Sequence, residues 1–154
     1  MAARSNRIRE LPRQHPILTL ASTIVIVEIV GASGSVFTAQ GLNGWYDTLQ
    51  QPALAPPNWV FAPVWTTLFA LIGVALWLVW RGVDNSPRAA RIGFGVFVVH
   101  FAFNLGWSAV FFGLQEIGGG LVVIGLLWVL IGATMWAFDR VDRRAALLLV
   151  PYLL

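Results

Sequence analysis

Four polar or aromatic side chains in the second half of the chain are spaced so that they share one face of a helix. They stand at positions i, i+4, i+7 and i+8 and are His100, Asn104, Trp107 and Ser108. Because the surrounding segment is apolar, this face is expected to turn toward the interior of a helix bundle. There Asn104 can hydrogen-bond a polar atom of a bound molecule, and Trp107 can stack on it. The alternative is that the face only forms hydrogen bonds between helices, worth ~0.6 kcal/mol each.

One carboxylate lies near the middle of the first long apolar segment. Glu28 would cost ~2.5–3.5 kcal/mol on insertion scales if it were charged at that depth. We therefore expect it to be protonated, paired or in contact with water. His100 lies at a similar depth in its own segment, and one hypothesis is that it interacts with Glu28 directly or through water.

No motif for an activated nucleophile, a phosphate-binding loop or a carboxylate pair occurs in the sequence. Glu28 and His100 without a third ligand nearby do not make a metal site. The chain has no cysteine, which removes thiol chemistry and disulfides. We predict no catalytic residue, no metal site and no required cofactor.

The elements that carry these groups are expected to be transmembrane helices. The 154 residues are 58% hydrophobic and 11% charged, whereas soluble domains have about a quarter charged residues. A bilayer core of ~30 Å needs ~20 apolar residues of helix. Four segments meet that length, and a fifth stops after ten residues, about half way across. The segments are 17–39, 58–80, 91–112, 118–138 and 145–154. The prediction is an all-α polytopic membrane bundle of five segments, the fifth truncated.

All ten basic residues are arginines, and they fall in three places: an N-terminal arm over 1–16, the 81–91 loop and the 139–144 loop. The connections 40–57 and 113–117 contain none. This distribution follows the positive-inside rule. It predicts that the N-terminus and the arginine-rich loops are cytoplasmic. It also favours lipid over nucleic acid as the partner of this basic chain.

The arm over 1–16 is predicted to be separate from a membrane domain over 17–154, and to lie at the lipid surface or to be disordered. A competing interpretation makes 1–34 a cleaved signal peptide, because an arginine-rich start and an apolar run precede small residues. If 1–34 were removed, the connections between segments would no longer alternate between the two sides of the membrane as the arginine distribution indicates. We therefore keep this stretch as part of a membrane segment.

The stretch 45–65 follows the first segment and includes the start of the second. It contains four prolines and five aromatic residues. Prolines lack an N–H group and fix φ, so this stretch is not one regular helix. We predict a rigid aromatic cap over 45–57, on the side opposite the arginines, and a helix that begins near Pro57. Trp45, Tyr46 and Asp47 are predicted to contact a ligand from this cap. Asp47 is also predicted to cap a short helix over 48–51.

Beyond the cap, Phe61 and Trp65 are four residues apart and share a helix face. Ordinary helix packing is the alternative to a role in binding. Trp77 and Trp80 stand beside Arg81, and are expected to belong to the aromatic belt at the membrane interface.

Glycines recur at seven-residue spacing in the fourth segment, at Gly118, Gly125 and Gly132. Gly31 and Ser35 form a similar small pair in the first segment. Small residues allow helices to approach closely. These faces predict either packing within the protomer or a homodimer.

The cap and the segments after it resemble the TspO/translocator family, also called tryptophan-rich sensory proteins or peripheral-type benzodiazepine receptors. The resemblance covers about 30–154 and is specific, because the same residue types recur in the same order and spacing. The matching residues are Trp45, Tyr46, Leu49, Pro52, Pro56, Pro57, Trp59 to Pro63, Trp65, Asn104, Trp107, Phe111 to Gly113, Ala133, Thr134, Phe138, and Pro151 to Leu153.

The resemblance implies five transmembrane helices, usually in a dimer. It also implies an intrabundle pocket that binds porphyrins, haem, sterols and synthetic drugs, with Trp65, Asn104 and Trp107 among its walls. The function implied is sensing, transport or regulation in tetrapyrrole metabolism. One rival is a light-dependent porphyrin-degrading enzyme in which Trp65 takes part as an electron or radical carrier. A second rival is a membrane scaffold without a ligand.

The chain departs from the family pattern in three places. Gln51 and Leu54 stand where members have lysine and tryptophan, and His100 stands where glutamine is common. The family's last helix continues beyond the position of Leu154. We therefore expect either an incomplete fifth helix or a longer chain.

Overall fold

A computed structural model of the chain describes residues 2–42, 44–50 and 56–154, with side chains from Ile8 onward. All regular structure in these ranges is helical, and they contain no strand. The eight α-helices are α1 (Ala2–Gln14), α2 (Pro16–Ser33), α3 (Ser35–Leu42), α4 (Phe61–Arg81), α5 (Pro87–Ser108), α6 (Ile117–Asp139), α7 (Arg143–Leu147) and α8 (Val150–Leu153).

Four helical stretches are long and apolar enough to cross a membrane, as the sequence predicted. They run over Pro16–Leu42, Asn58–Arg81, Pro87–Gly113 and Ile117–Asp139. Residues 143–154 form the short helices α7 and α8, so a fifth membrane-spanning segment is not confirmed. Apolar side chains cover the outside of the four stretches, for example Ile29 at 67% exposure and Leu121 at 72%. This surface fits a lipid environment.

Prolines and a short polar turn set where the helices begin. Pro16 and Pro87 stand in the first turns of α2 and α5, where the missing N–H group costs no hydrogen bond. Before α4, Asn58–Val60 form a single 3₁₀ turn that follows extended Pro57. The prediction of a helix start near Pro57 is confirmed.

The half of the bundle near the arginine loops is closely packed. Ile72, Val79, Phe138 and Leu149 have no exposed surface. Gly73 permits the closest approach of α4 to α2, because a Cβ atom there would lie 2.6 Å from the Ile24 Cα atom. The segment α7–α8 closes this end by contacting α4 and α6.

The N-terminal arm was expected at the lipid surface or disordered, but the structure shows it as helix α1. The Trp80 indole Nε1 donates to the Ile8 carbonyl oxygen at 3.1 Å. Arg13 Nη1 lies 3.2 Å from Asp84 Oδ2 in the α4–α5 loop. This exposed ion pair contributes little energy, but with the indole bond it places α1 against the arginine-rich end. A boundary between arm and domain at residue 16 stays a prediction.

The close contact at Gly73 can be tested by adding one methyl group. Gly73→Ala is expected to destabilise the protein by ~1–3 kcal/mol, because the added Cβ meets helix backbone rather than a flexible side chain. Gly95→Ala in α5 is the control, because a Cβ atom there meets nothing within 4 Å. Thermal unfolding in detergent should show a lower midpoint for Gly73→Ala alone. Equal midpoints for both variants would contradict this packing.

Candidate functional site

The half of the bundle away from the arginine loops contains a cavity of about 320 Å³. It lies between the first three spanning stretches. The lining residues are Glu28, Gly31, Ala32, Gly34, Ser35, Thr38, Ala39, Leu42, Asn58, Phe61, Ala62, Trp65, Thr66, Phe69, Asn104, Trp107, Ser108 and Phe112. This volume is at the lower end of the range for small-molecule sites, ~300–1,000 Å³.

One wall of the cavity is made of small residues and the opposite walls are aromatic. Gly31, Ala32 and Ser35 line it from α2 and α3. A Cβ atom at Gly31 would overlap the Phe69 ring, so only glycine fits there without a shift of that ring. Ala32, Ala39 and Ala62 are exposed while also lining the cavity. The cavity therefore opens between the first stretch and α4.

Trp65 and Trp107 face this cavity from α4 and α5, and each ring is held by aromatic neighbours. The centroid of Trp65 lies 5.4 Å from that of Phe69 and 6.2 Å from that of Tyr152. Trp107 stacks on Phe111 at 5.2 Å with an angle of 8° between the planes. Such contacts are worth ~0.5–1.5 kcal/mol each beyond burial. They hold the ring planes in place without a ligand.

A π-helical turn over Ala109–Gly113 follows α5 and sets the directions of the Phe111 and Phe112 side chains. Their centroids are 4.9 Å apart at nearly a right angle. Phe112 therefore lines the cavity, while Phe111 supports Trp107 from behind. Turns of this type are frequent at functional sites.

Asn104 connects the cavity wall to α8. Its Nδ2 donates to the Tyr152 hydroxyl oxygen at 2.7 Å. Asn104 is 4% exposed and lines the cavity, as do Trp107 and Ser108. The predicted inward face of α5 thus does both things that the sequence left open, since it lines a cavity and forms an interhelical hydrogen bond.

His100 is fully buried and bonds away from the cavity, toward α6. Its Nδ1 lies 3.0 Å from Thr134 Oγ1, and that hydroxyl donates to the Leu130 carbonyl at 2.8 Å. The threonine oxygen must therefore accept, which assigns the ring proton to Nδ1. The other ring nitrogen, Nε2, has no hydrogen-bond partner among the described residues.

The proposed direct contact of Glu28 with His100 is not formed. His100 bonds Thr134 on α6, while Glu28 lines the cavity from α2. Among the predicted site residues, Phe61, Trp65, Asn104, Trp107 and Ser108 line the cavity and His100 does not. The ligand-contact role of His100 stays a prediction without support from this arrangement.

The cap residues lie outside the cavity wall and pack on it. The ring centroid of Tyr46 is 6.3 Å from that of Phe61 and 6.0 Å from that of Phe112. The ring centroid of Trp45 lies 5.4 Å from that of Phe111. Tyr46 therefore supports two residues that line the cavity, and Trp45 supports Phe111, which in turn packs on Trp107. Direct contact with a ligand stays a prediction for both.

The predicted helix over 48–51 with Asp47 as its cap is wrong. A 3₁₀ turn over Tyr46–Thr48 contains Asp47, and Leu49 after it is extended. The N-cap residue that begins this turn is Trp45, and the side chain of Asp47 is exposed. The turn forms earlier than predicted because the Thr48 N–H and hydroxyl groups both donate to the Trp45 carbonyl oxygen. Gln51, Pro52 and Leu54, which entered the sequence comparison, lie outside the described residues.

Sequence reasoning missed several lining residues, chiefly on the first stretch and at the start of α4. Gly31 and Ser35 were noticed as a small pair but were assigned to packing, and Glu28 was not assigned to the site. No sequence pattern marked Thr38, Asn58 or Thr66 as residues of the site. A row of small residues on one side of a helix that also bears a carboxylate is the pattern that would have found this wall.

The comparison with known proteins agrees with this architecture. A model of the TspO/MBR family matches residues 23–154. The chain belongs to the TspO/MBR family. The tryptophan-rich protein TspO of Chlorobaculum tepidum is 47% identical over 137 residues, which cover 89% of this chain and 86% of that protein. The tryptophan-rich sensory protein of Cereibacter sphaeroides is 38% identical over 133 residues, 84% of this chain and 81% of its own.

The translocator protein of Bos taurus is 33% identical over 123 residues, which cover 80% of this chain and 73% of its own. The TspO/MBR match therefore includes the cavity wall on α2 and α3, the cap, α4 and α5. All nine predicted site residues fall inside it.

The His100–Thr134 bond can be tested by removing its acceptor. Thr134→Val keeps the side-chain shape but leaves the His100 Nδ1–H group buried without an acceptor, so we expect a loss of ~1 kcal/mol of stability. Thr67→Val is the matched control, because that exposed hydroxyl bonds only the Pro63 carbonyl of its own helix. Thermal unfolding in detergent measures both. If Thr134→Val melts with the wild type, the His100–Thr134 hydrogen bond does not stabilise the fold.

Proposed function

We propose that the chain binds a flat, largely apolar molecule in the cavity, a tetrapyrrole such as porphyrin or haem or a sterol-like ligand. Its role is then in sensing, transport or regulation of tetrapyrrole metabolism. The observation that carries the proposal is that Trp65 and Trp107, from two different helices, line one cavity together with Asn104. Relatives that carry the names sensory protein and translocator protein support it.

The composition of the cavity fits such a ligand. Aromatic walls offer stacking faces, and a few polar groups fix the orientation of what binds. Asn104 and Ser108 supply these groups on α5, and Thr38 supplies one on α3. The rings are held by Phe69, Phe111 and Tyr152, so little order has to be created when a ligand enters.

We also propose that the arginine-rich end is cytoplasmic and that the cap faces the other side. In support, α1, the 82–86 loop and the turn before α7 lie at one end, where Arg13 pairs with Asp84 and Gly82 packs against Val141. Residues 145–154 would then form the truncated fifth membrane segment. Impermeant thiol labelling of Asn85→Cys and Gln115→Cys in intact cells tests the sides, and labelling of both would contradict the proposal.

A homodimer through α6 is a further part of this proposal. A Cβ atom at Gly118, Gly125 or Gly132 would meet nothing within 4 Å, so this glycine face contacts no other element in the described part of the protomer. Gly31, by contrast, is already used against Phe69. Gly125→Cys should form a disulfide between protomers in membranes, while Ile26→Cys on the exposed side of α2 should not. Absence of the first crosslink argues against dimerisation at this face.

Binding is tested by titrating protoporphyrin IX into the purified protein in the dark, with tryptophan fluorescence as the readout. We expect saturable quenching at micromolar ligand. Trp65→Leu should bind about three- to tenfold more weakly, because it loses the stacking contribution of one indole. Trp136→Leu is the control, because Trp136 is 58% exposed and stacks with Arg140 away from the cavity.

The two failures of this experiment mean different things. No saturable quenching in the wild type would favour a scaffold without a ligand. Equal affinities for the wild type and Trp65→Leu would show that porphyrin binds elsewhere on the protein, for example on the apolar surface.

A further inference from the structure

The cavity contains one ionisable side chain among its described lining residues, the carboxylate of Glu28. All other lining side chains are apolar, hydroxyl, amide or indole groups. The described lining includes no arginine and no histidine. The electrostatic character of this lining is therefore set by one carboxyl group, and this was not anticipated from the aromatic composition.

Glu28 has no partner within the described part of the protein. The ion pair between described side chains joins Arg13 to Asp84 at the arginine-rich end, and no hydrogen bond or salt bridge involves Glu28. A carboxylate in a low-dielectric setting without a partner is costly. A group that fills the cavity and presents a positive charge or an N–H donor would remove that cost.

The carboxylate lies at the inner end of the cavity. Glu28 is the first lining residue on the first stretch and Leu42 is the last, so fourteen residues separate them, or ~21 Å at 1.5 Å per residue. Phe69 and Asn104 are the corresponding innermost lining residues of α4 and α5. A ligand that lies along the cavity therefore has its leading edge, the end away from Leu42, beside Glu28.

Asn104 strengthens the preference for a donor at this end. Its Nδ2 is already used in the bond to the Tyr152 hydroxyl. Its Oδ1 remains as an acceptor on a residue that lines the cavity. Carboxylate and amide oxygens at the same depth in the cavity accept hydrogen bonds from the N–H groups of a ligand and disfavour its carboxylates.

We propose that Glu28 is the specificity-determining residue of the cavity and selects a planar aromatic ligand that carries a protonated nitrogen on its leading edge. This inference rests on the proposed function, since it assumes that flat ligands bind in the cavity. It excludes ligand carboxylates from the inner end. A ligand with acidic groups is held with those groups near Asn58, at the end of the cavity away from Glu28.

The test compares three probes that share a fused three-ring skeleton and differ in charge: aminoacridinium, anthracenecarboxamide and anthracenecarboxylate. Binding to wild type and to Glu28→Gln is measured by tryptophan fluorescence quenching. The cation should bind the wild type most tightly and lose about ten- to a hundredfold in Glu28→Gln, because a charge-assisted bond is lost. The carboxamide should change by less than about twofold.

Two further variants separate charge from structure. Glu28→Asp keeps the charge and should retain the preference for the cation over the carboxamide. Glu116→Gln removes a carboxylate that is exposed and outside the cavity, and it should behave as the wild type. Thermal unfolding confirms that each variant is folded.

The outcomes distinguish the two proposals. Equal affinity of the cation for wild type and Glu28→Gln, or a wild type that binds the cation no better than the carboxamide, overturns the role of Glu28 while ligand binding stands. A wild type that binds neither these probes nor protoporphyrin IX overturns both.

Discussion

The cavity exists because the first spanning stretch approaches α4 through glycine and then presents mostly small side chains. Gly73 lets α4 reach the backbone of α2 at Ile24, and Gly31 lets the Phe69 ring lie against α2. Beyond that point Ala32, Ser35 and Ala39 face Ala62 and Thr66 across the gap. Helices held close at one end and lined by small residues at the other leave a space that large side chains would have filled.

The lipid setting explains why the polar groups of α5 are arranged as they are. A buried polar group without water must find a partner in the protein. His100 does so through Thr134 and Asn104 through Tyr152, so both hold α5 to the helices that follow it. Trp107 and Ser108, nearer the capped end, have no such hydrogen bond and are left to face the cavity. The same face of α5 therefore forms interhelical hydrogen bonds toward the arginine-rich end and lines the cavity toward the capped end.

Periodicity and charge placement were enough to predict the four long helices, because apolar length and arginine distribution are properties of the sequence itself. The cavity was predictable from its aromatic side, since Trp65, Trp107 and Asn104 share helix faces and match a family pattern. Its small-residue side was not, because Gly31 and Ser35 are equally consistent with tight packing. The partner of His100 depends on the rotation of α6 about its own axis relative to α5, and the sequence alone does not determine that rotation. The turn around Asp47 is closed by two hydrogen bonds from Thr48 to the Trp45 carbonyl oxygen, which local capping rules do not describe.

The central claim is that a flat ligand occupies the space between the first stretch, α4 and α5, and the absence of native cysteines allows a direct test. Ser108→Cys places a thiol on the cavity wall, and Val36→Cys places one on the exposed side of α3 at a similar depth from the capped end. Each is treated with a small membrane-permeant thiol reagent with and without protoporphyrin IX, and modification is followed by mass spectrometry. The account predicts that porphyrin slows modification of Ser108→Cys and leaves Val36→Cys unchanged. Equal rates for Ser108→Cys with and without porphyrin would contradict it.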